Sequence, residues 1–568
     1  MRRDRKGAVL CVFLCLSAVL TGCYGDEGQV DRKAQAAAAE MDADDPMSPY
    51  GTELVLTAGR YTGTNPRLPE GDTFEDNAYT RYLKERLNIT IQDAFEANGE
   101  DYSRQVSLAM AGGDLPDIMM VASWKDLQEL VENDMAADLT EVYDHYASEE
   151  LKRVYGTYDD VFDGGAMGKV TFDGRIYGMP DAQGDCGPNI VWIRQDWADK
   201  LGLELDEDGN GCLTVEEFKE TAKAFLEADP GGSGRPVGIP VQPMPSSADN
   251  DGGSFTLTGL ANAFGAFPKR WQEGDDGEVV YGTMTDEMKA FLTEMAQWYR
   301  EGIIDPQCGV RTWDDCMSLL VNNQAGIVFG QWHMPDWAFT QVKTKNPECE
   351  FQCYTIESEE GQVNAMHVAP IDKYMVVSKD CPHPEALIKI MNIYFDEIRG
   401  TKAAEKMPNI AEALQMDNST KPVGVEVQAA NQLLDGYANV MKAVADESWM
   451  DQLEIYDQKV ATEIRAYQAD PEAASTEEWA HYNSRTNGLG LFYRLTDQGS
   501  LNWKIPAFTG STSSMALLWT NLDKQENEMT IKIITGAEPP EFFETFKENW
   551  RKQGGESIVE EVKAQLNH

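Results

Sequence analysis

The most specific chemical pattern in this sequence is a run of oxygen-bearing side chains between positions 206 and 217. Counted from its first residue, carboxylates or an amide stand at positions one, three and five, a glycine stands at six and a carboxylate at twelve. This is the spacing of an EF-hand calcium loop, because a hard cation needs several oxygens and glycine lets the backbone turn sharply among them. The predicted ligands are Asp206, Asp208, Asn210, Cys212 through its backbone carbonyl, Thr214 and Glu217.

The sequence on both sides of this loop has helical patterning. An amphipathic segment, Trp197 to Leu203, precedes the loop, and Thr214 to Phe225 follows with Phe218 and Ala222 on the same side. Calcium sensors pair their loops, whereas one copy of the pattern is found here, so we predict a structural calcium ion rather than a switch. The alternative interpretation is a solvated acidic turn.

Composition limits the classes of partner. With 568 residues, 42% hydrophobic content and 13 Trp, the chain is long enough to form two or more hydrophobic cores. Its formal net charge of -48 would repel nucleic acid and anionic lipid. Neither is therefore expected to bind the folded part of the protein.

The first residues predict export. A basic start (Arg2, Arg3, Arg5, Lys6) precedes an apolar stretch, 8–20, that is too short for a comfortable transmembrane span. We therefore predict a signal peptide over 1–22.

The end of this signal, Leu20-Thr21-Gly22-Cys23, resembles the bacterial lipobox, in which the cysteine becomes the lipidated first residue of the mature protein. Acyl chains such as palmitate on Cys23 would anchor the protein without spanning the membrane. Residues 23–51, rich in Asp, Glu and Ala, are predicted to form a disordered tether. We expect the protein on the extracellular face of the cell membrane, held there through its N-terminal lipid only.

Strand and helix patterns alternate after the tether. Strands are predicted at 53–61, 89–94 and 118–122, and helices at 77–87 and 102–111. This alternation is typical of a parallel α/β sheet. Ligands of open α/β sheets gather beyond the carboxyl ends of the strands, which draws attention to Tyr61 and Trp124.

The cysteines beyond the lipobox are seven in number and scattered, without the paired spacing of a zinc site. Cys349 and Cys353 are close enough in sequence to be bridged, and whether any of the cysteines pair is left open.

Several short motifs carry a family resemblance. In chain order they lie at Met110 to Ile118, Gly174 to Pro180, Ile193 to Gly202, Trp298 to Pro306, Ile531 to Ala537 and Phe546 to Val562. In this order and behind a lipobox, they resemble the motifs of extracellular solute-binding proteins of ABC importers, family 1. More narrowly, they resemble the large, oligosaccharide-type lipoproteins of Gram-positive bacteria.

The resemblance implies a two-lobe α/β fold of the periplasmic-binding-protein type, with hinge crossings near 180–188 and 367–374. The implied lobes are 52–180 with 375–400, and 181–374 with 401–568, the second of which contains the calcium loop. Some alginate-type members of the family also carry an EF-hand-like calcium site in one lobe. The residues agree at the first crossing, where 181–189 is a polar connector that contains glycine. The acidic stretch 400–500 is helical in pattern and has no assigned position.

The function implied by the resemblance is capture of a carbohydrate, in particular an oligosaccharide, by closure of the lobes. The ligand would then pass to the permease subunits of an ABC importer. The protein is expected to act as a monomer without nucleic acid.

Candidate ligand contacts follow from sugar chemistry, because sugar rings stack on aromatic side chains and their hydroxyls need planar polar partners. The aromatic candidates are Tyr61, Trp124, Trp332 and Trp503, and the polar candidates are Asp181 and Arg194. Trp332 ranks first, because Ala325 to Gln331 predicts a strand that leads it into a loop, where this family often has a sugar-stacking aromatic. The competing interpretation for each aromatic is ordinary packing.

Two alternatives remain. A secreted calcium-binding glycoside hydrolase would also be acidic and aromatic-rich, and it would use two carboxylates for catalysis. Because the chain has 96 Asp and Glu residues, a suitable pair of carboxylates can always be chosen, so such a pair is no evidence for an enzyme. The sequence has no Gly-x-Ser-x-Gly elbow, His-Glu-x-x-His motif or phosphate-binding Gly/Lys loop, and we do not expect an enzyme. The second alternative keeps the fold but changes the ligand to a peptide or a signal, with acidic walls favouring neutral or cationic ligands.

Overall fold

The computed structural model describes residues 45–566, apart from 64–65, 160, 162–163, 185–186, 243–252, 275–276, 368–370, 372, 400–406, 408–412 and 414–415. The predicted signal peptide, Cys23, most of the predicted tether and Cys186 lie outside the described residues.

The strands are β1 Leu54–Tyr61, β2 Ile89–Ala97, β3 Ile118–Val121, β4 Thr171–Phe172, β5 Arg175–Ile176, β6 Met179–Pro180, β7 Ile190–Arg194, β8 Cys212–Leu213, β9 Trp271–Glu273, β10 Val279–Tyr281, β11 Ile327–Gly330, β12 Phe351–Ile356, β13 Val363–Met366, β14 Tyr374–Val377 and β15 Leu501–Lys504.

The α-helices are α1 Ala78–Leu87, α2 Gly99–Gly112, α3 Trp124–Glu132, α4 Thr140–Tyr146, α5 Glu149–Gly156, α6 Gly165–Gly168, α7 Gln195–Leu201, α8 Val215–Ala228, α9 Thr258–Ala263, α10 Asp286–Arg300, α11 Trp313–Val321, α12 Met334–Trp337, α13 Phe339–Lys345, α14 Glu385–Asn392, α15 Gln432–Ala445, α16 Ile455–Ala469, α17 Thr476–Tyr482, α18 Gly490–Asp497, α19 Ser513–Ile534, α20 Phe542–Trp550 and α21 Glu556–Leu566. Wider π-helical turns occupy Ile393–Ile398 and Asn483–Leu489, whereas Arg551–Gly555 forms a kink between α20 and α21 with the non-helical residue Gly554 at a φ of +117°.

The first sheet has the strand order β2-β1-β3-β14-β6. Its first three strands are parallel, with α1 and α2 as their connections, which confirms the α/β pattern predicted from the sequence. The chain turns at the start of each helix, after the loop 62–77 before α1 and directly at Asn98 before α2. Asn77 makes one such turn by accepting hydrogen bonds from the backbone N–H groups of Tyr79 and Thr80, at the start of α1.

The second sheet has the strand order β11-β7-β12-β8. Its central strand β7 is buried along its whole length, with Val191 and Ile193 in the hydrophobic cluster on one face and Ile190 and Trp192 in the cluster on the other. Successive side chains of a strand point to opposite faces, so a strand with apolar residues on both faces, as Ile190 to Ile193 provide, belongs in the middle of a covered sheet.

The two sheets have separate hydrophobic cores. The first core surrounds the five-stranded sheet, and the second core consists of the clusters on the two faces of the four-stranded sheet. The chain passes from the first sheet at β6 to the second at β7, and it returns to the first sheet at β14. These passages include the positions near 180–188 and 367–374 at which the sequence predicts hinge crossings, and parts of both lie outside the described residues.

After its last segment in the first core, the chain makes a third passage and leaves this core past Ala429. Met407, Val425 and Ala429 are buried in the first core, beyond the boundary at 400 that the sequence predicts. Val427 forms a parallel bridge with Ala182, so the outgoing chain runs beside the first crossing. The helices after position 431, which begin with α15, follow this third passage.

These later helices are the stretch that could not be placed from sequence. α15 and α16 form a small cluster of their own that includes Val440, Leu453 and Ile464. Farther along, Trp479, Leu491 and Leu495 are buried in the second core. These helices, from Gln432 to Asp497, are called the helical segment, and they extend from the second core toward the first.

Among the described residues, no helix has both the length and the hydrophobicity that a bilayer crossing requires.

The described cysteines are buried free thiols: Cys212, Cys308, Cys316, Cys349, Cys353 and Cys381. Burial raises the pKa of the Cys349 thiol to about 11 and that of the Cys353 thiol to about 12. The bridge that their spacing would permit is therefore not formed, and both act as small apolar side chains.

Candidate functional site

A groove of about 770 Å³ lies between the first core and the helical segment of the second. Its walls come from distant parts of the chain: 150–154, 395–399 and 427–429 on the side of the first core, and Trp332, 432–440, 452–457 and 485–489 on the other. The floor is fixed to the first core, since Tyr158 donates its hydroxyl hydrogen to the carbonyl of Gln428 at 2.8 Å and Ala430 N–H donates to the Thr157 hydroxyl at 2.9 Å.

Both of these π-helical turns face this groove, from opposite sides. Ile393–Ile398 supplies Phe395 and Asp396, and Asn483–Leu489 supplies Arg485 and Leu489. A π-turn inserts an extra residue into a helix, which changes the direction in which the following side chains point, and such turns are frequent at functional sites.

Trp332 is the aromatic side chain that the sequence ranked first, and it lies in the groove wall just after β11. The guanidinium of Arg485 lies 5.0 Å from the centre of its ring, within the range of a cation–π contact. The indole N–H of Trp332 is enclosed and has no hydrogen-bond partner among the described residues. A ligand oxygen is a suitable partner for such a group.

Two carboxyl groups, Glu454 and Asp457, line the groove at the start of α16. Neither side chain accepts a hydrogen bond or forms a salt bridge within the described part of the chain. Restricted solvation inside the groove, with a smaller contribution from Asp457, raises the pKa of Glu454 to about 7. The pKa of Asp457 is raised by the same desolvation, which Arg485 partly offsets.

The predicted polar contacts, Asp181 and Arg194, lie elsewhere and are occupied by protein groups. Both side chains are buried. Asp181 accepts hydrogen bonds from the backbone N–H of Glu426 at 2.6 Å and from Gln183 at 2.9 Å, which tie two passages of the chain together. Arg194 makes two bonds of 2.6 Å to Asp196, so its fork is taken by a residue two positions ahead.

The remaining aromatic candidates also lie outside the residues that line the groove. Tyr61, at the end of β1, contacts Tyr102 edge to face at 5.4 Å. Trp124 stacks on Phe172 at 5.7 Å and donates its indole hydrogen to the carbonyl of Lys169. Trp503 stacks on His367 at 4.4 Å, close to the second crossing. Of the six predicted ligand contacts, the groove therefore brings only Trp332 to its wall.

Several polar groove residues were missed from sequence: Gln428, Gln432, Asn439, Gln452, Glu454, Asp457 and Arg485. All lie in the stretch that had no assigned position. The one signal of these residues in the sequence is the cluster of amide side chains at 428–432. Amides offer planar donors and acceptors that suit hydroxyl groups.

The predicted calcium loop has the internal hydrogen bonds of a compact turn. Asp206 accepts from the N–H of Gly211 at 3.0 Å, Asp208 from that of Asn210 at 3.2 Å, and Asn210 from that of Cys212 at 2.6 Å. Burial raises the pKa of Asp206, and the neighbouring Asp208 carboxylate raises it further. Two carboxylates held this close repel each other, and a divalent cation would relieve that repulsion.

Glu217, the twelfth residue, also caps α8. Its carboxylate accepts hydrogen bonds from the N–H and the hydroxyl of Thr214, both at 2.8 Å, while Thr214 accepts from the N–H of Glu217. The donor set of the loop, with carboxylates, an amide and a backbone carbonyl, fits the oxygen preference of calcium.

The loop is joined to the second sheet by β8, which pairs in parallel with β12. The N–H of Thr355 donates to the carbonyl of Gly211, and that of Glu357 donates to the carbonyl of Leu213, both at 3.0 Å. In this way β12 provides the strand that a second EF-hand loop would otherwise supply. The loop braces the edge of the sheet, which fits a structural ion.

A second cavity, of about 800 Å³, lies beside Thr214 on the surface of the second core and is rich in glutamate. Within the described residues, one group places three ligand atoms within 4.8 Å of one another: Glu463, Glu477 and His481. Its carboxylates already pair with Lys459. Neither feature lies between the two cores, so the groove remains the candidate ligand site.

Comparison with known proteins places this geometry in context. A family model described as bacterial extracellular solute-binding protein matches residues 65–397. The fructooligosaccharide ABC transporter substrate-binding protein FusA of Streptococcus pneumoniae serotype 4 is 25% identical over 342 residues, which cover 56% of this chain and 59% of FusA. The matched family and this relative are binding proteins rather than enzymes.

Two Bacillus subtilis proteins are similar over shorter stretches. The polygalacturonan/rhamnogalacturonan-binding protein YtcQ is 27% identical over 161 residues, covering 28% of this chain and 30% of YtcQ. The lipoprotein LipO is 23% identical over 270 residues, covering 46% of this chain and 48% of LipO. The matches thus span between about a third and three fifths of the length of these relatives.

Solved structures share the fold over most of the chain. An extracellular solute-binding protein from Bifidobacterium longum subsp. infantis superimposes with a TM-score of 0.60 at 15% identity, covering 91% of this chain and 98% of that one. An EF-hand mutant of S. pneumoniae FusA in complex with fructo-nystose gives a TM-score of 0.55 at 17% identity, covering 91% and 99%. The two-lobe α/β fold of periplasmic binding proteins, predicted from the sequence, is confirmed.

Proposed function

The chain belongs to the bacterial extracellular solute-binding proteins, and from this premise we propose that it captures an oligosaccharide in the groove between its two cores and delivers it to the permease of an ABC importer. The observation that carries the proposal is the groove itself, with Trp332 in its wall and with the carboxyl groups of Glu454 and Asp457, which have no side-chain partner among the described residues. An aromatic ring and several planar polar side chains in one cleft are what a sugar needs for recognition.

Similarity supports a carbohydrate ligand. FusA is named for fructooligosaccharides and YtcQ for polygalacturonan and rhamnogalacturonan. These ligands differ in charge, because fructooligosaccharides are neutral and galacturonans carry carboxylates. The relatives therefore indicate the class of ligand and leave its charge open.

Closure follows from the position of the groove. A ligand that touches both walls interacts fully with the closed arrangement alone, so it shifts the population of conformations toward closure. The crossings beside Ala182 and Val427 are the segments about which the lobes would rotate. The ligand is held by hydrogen bonds and stacking, and its covalent bonds are unchanged.

A thermal-shift screen of oligosaccharides with the purified, unlipidated protein tests this proposal. A ligand that binds the folded protein raises its melting temperature, by an amount that grows with the ligand concentration relative to Kd. Small-angle scattering with the best ligand should then show a monomer whose radius of gyration decreases. If no oligosaccharide stabilises the protein, or if a saturating ligand leaves the radius unchanged, the proposal is wrong.

We further propose that the loop Asp206 to Glu217 holds a structural calcium ion. Support comes from the close Asp206 and Asp208 carboxylates and from the pairing of β8 with the second sheet. Calcium would supply the positive charge that these oxygens lack, and the residues of the loop would hold the edge strand in place.

We also propose that lipid on Cys23 anchors the protein at the outer face of the cell membrane. The lipobox-like sequence supports this, as does similarity to the lipoprotein LipO. A Cys23→Ser variant expressed in a Gram-positive host should move from the membrane fraction to the culture medium. A variant that stays in the membrane fraction would contradict the anchor and leave the ligand proposal unaffected.

A further inference from the structure

We propose that the groove selects neutral oligosaccharides and rejects those that carry carboxylates, because the cations among its described residues are taken by the protein while the carboxyl groups of Glu454 and Asp457 are left for the ligand. This inference rests on the proposed function and concerns the charge of the ligand in the same groove.

The arginines of the groove are already paired. Among the described lining residues, the cationic side chains are Arg153, Arg399 and Arg485. Arg153 makes two bonds to Glu150, at 2.8 and 2.6 Å, which occupy its fork.

The other two arginines are held more tightly. Arg399 bonds to Glu426 at 2.5 Å and to the carbonyl of Val427 at 2.9 Å. Arg485 is paired with Asp336, and its side chain is only 9% exposed. Recognition of a ligand carboxylate depends on a free planar fork that can make two parallel bonds. None of these three arginines offers one without breaking an ion pair of the protein.

Two acidic side chains of the groove differ from these arginines, because they are not paired within the described residues. Glu454 and Asp457 lie one helical turn apart at the start of α16, open to the groove and without a side-chain partner in the described part of the chain. Asp435 lies on the neighbouring α15 and interacts electrostatically with Arg153. The charged groups that face Glu454 and Asp457 are each other, Arg399 and Arg485.

These groups suit hydroxyls and oppose anions. A carboxylate is an acceptor with several lone pairs, so two adjacent carboxylates can take hydrogen bonds from neighbouring hydroxyls of one sugar. A uronate in the same place would add a negative charge beside Asp457 and beside Glu454, whose pKa of about 7 leaves it partly ionised near neutral pH, in a groove where solvation is restricted and Coulomb repulsion is strong. The excess of acidic residues over the whole chain, with a net charge of -48, acts in the same direction at long range.

Calorimetry with two sets of oligosaccharides of matched length tests the inference. The neutral set contains fructo-, gluco-, galacto- and manno-oligosaccharides, and the anionic set contains oligogalacturonates and oligoalginates. We expect the tightest neutral ligand to bind at least tenfold more tightly than any anionic one. An anionic ligand that binds as tightly as the best neutral one overturns this inference and leaves the proposed function standing. Binding of neither set overturns both.

The double variant Glu454→Gln with Asp457→Asn tests whether these two residues are responsible. It keeps the shape of the side chains but removes their charge, so the affinity for oligogalacturonate should rise at least tenfold relative to that for the best neutral ligand. Glu472→Gln is the matched control, because Glu472 is an exposed carboxylate in the loop after α16. If the double variant and the control show the same selectivity as the wild type, the assignment to Glu454 and Asp457 is wrong.

Discussion

Arg485 holds its guanidinium 5.0 Å from the centre of the Trp332 ring and is itself fixed by Asp336 and Ser484. The two residues come from different elements, Trp332 from the loop after β11 and Arg485 from a π-helical turn. The ring is thereby oriented before any ligand arrives. A sugar that stacks on it does so without an entropic cost for ordering the indole.

Replacing Trp332 with alanine should lower the affinity for the best neutral oligosaccharide by roughly tenfold or more, since tenfold corresponds to about 1.4 kcal/mol and removal of an aromatic hot-spot residue at the centre of a binding site costs about 2 kcal/mol or more. Titration calorimetry measures the change. Trp449→Ala is the control, because Trp449 is 38% exposed and lies outside the groove lining. Equal affinities of the wild type and Trp332→Ala would remove Trp332 from the site.

Gly211→Ala should destabilise the calcium loop. Gly211 has a φ of +86° and its added Cβ would lie 2.4 Å from Cδ1 of Leu491, a fully buried side chain of α18 that has little room to move. We expect a loss of about 2–4 kcal/mol in the free energy of unfolding by urea, from backbone strain and overpacking together. Gly209→Ala is the matched control, with a φ of +73° and no neighbouring atom within 4 Å. It should lose only the strain contribution. Equal losses in the two variants would show that packing of Leu491 on the loop is unimportant.

Calcium should raise the melting temperature of the wild type, and chelation with EGTA should reverse the effect. Asp206→Asn should reduce this calcium-dependent rise strongly, because it removes one charged ligand while an amide oxygen can still accept from Gly211 N–H. In EGTA the same variant should melt no lower than the wild type, since the repulsion between Asp206 and Asp208 is gone. A wild-type melting temperature that is equal in calcium and EGTA would contradict the structural ion.

The raised pKa of Glu526 predicts that the free energy of unfolding depends on pH. Glu526 is a buried residue of α19 that faces Tyr281 of β10, and desolvation raises its pKa to about 7, although Lys269 and hydrogen bonds from Thr283 and Tyr281 oppose the rise. The folded protein therefore holds this proton more tightly than the unfolded chain does. Stability contributed by the neutral carboxyl is complete below about pH 4.5 and decreases as the pH rises toward 7.

Glu526→Gln cannot ionise, and its single amide oxygen can still accept from one of the two hydroxyls while its NH2 group faces the other. The free energy of unfolding of this variant, relative to that of the wild type, should therefore increase between pH 5 and pH 8, by up to about 1.4 kcal/mol per pH unit over the titration range. Its melting temperature relative to the wild type should increase in the same direction. Thermal unfolding at four pH values gives the comparison. A constant difference across that range would show that Glu526 does not titrate there.

Much of the first lobe could be predicted from sequence because its signals are local. The strands and helices between 54 and 121 have short apolar runs and polar breaks, and the observed elements agree within a few residues. The calcium loop is also local, since all of its predicted ligands lie within twelve consecutive positions. Trp332 could be chosen because a strand leads directly to it.

The rest of the groove could not be predicted, because it is made by contacts between distant residues. Tyr158 and Gln428 are 270 positions apart, and the helices 432–469 have exposed faces that look like ordinary solvated helix in the sequence. Arg194 shows the reverse error. Its charge suggested a ligand contact, but Asp196 in the first turn of α7 satisfies it. Whether a polar group is free depends on its partners, and those are set by the tertiary structure.

The most direct test of capture between the lobes is native mass spectrometry of the purified protein after incubation with a mixture of neutral oligosaccharides. We predict a one-to-one complex whose added mass equals that of an intact oligosaccharide, with no shortened products. A spectrum that contains only free protein, or one in which the bound glycans are fragments of those supplied, would contradict the account.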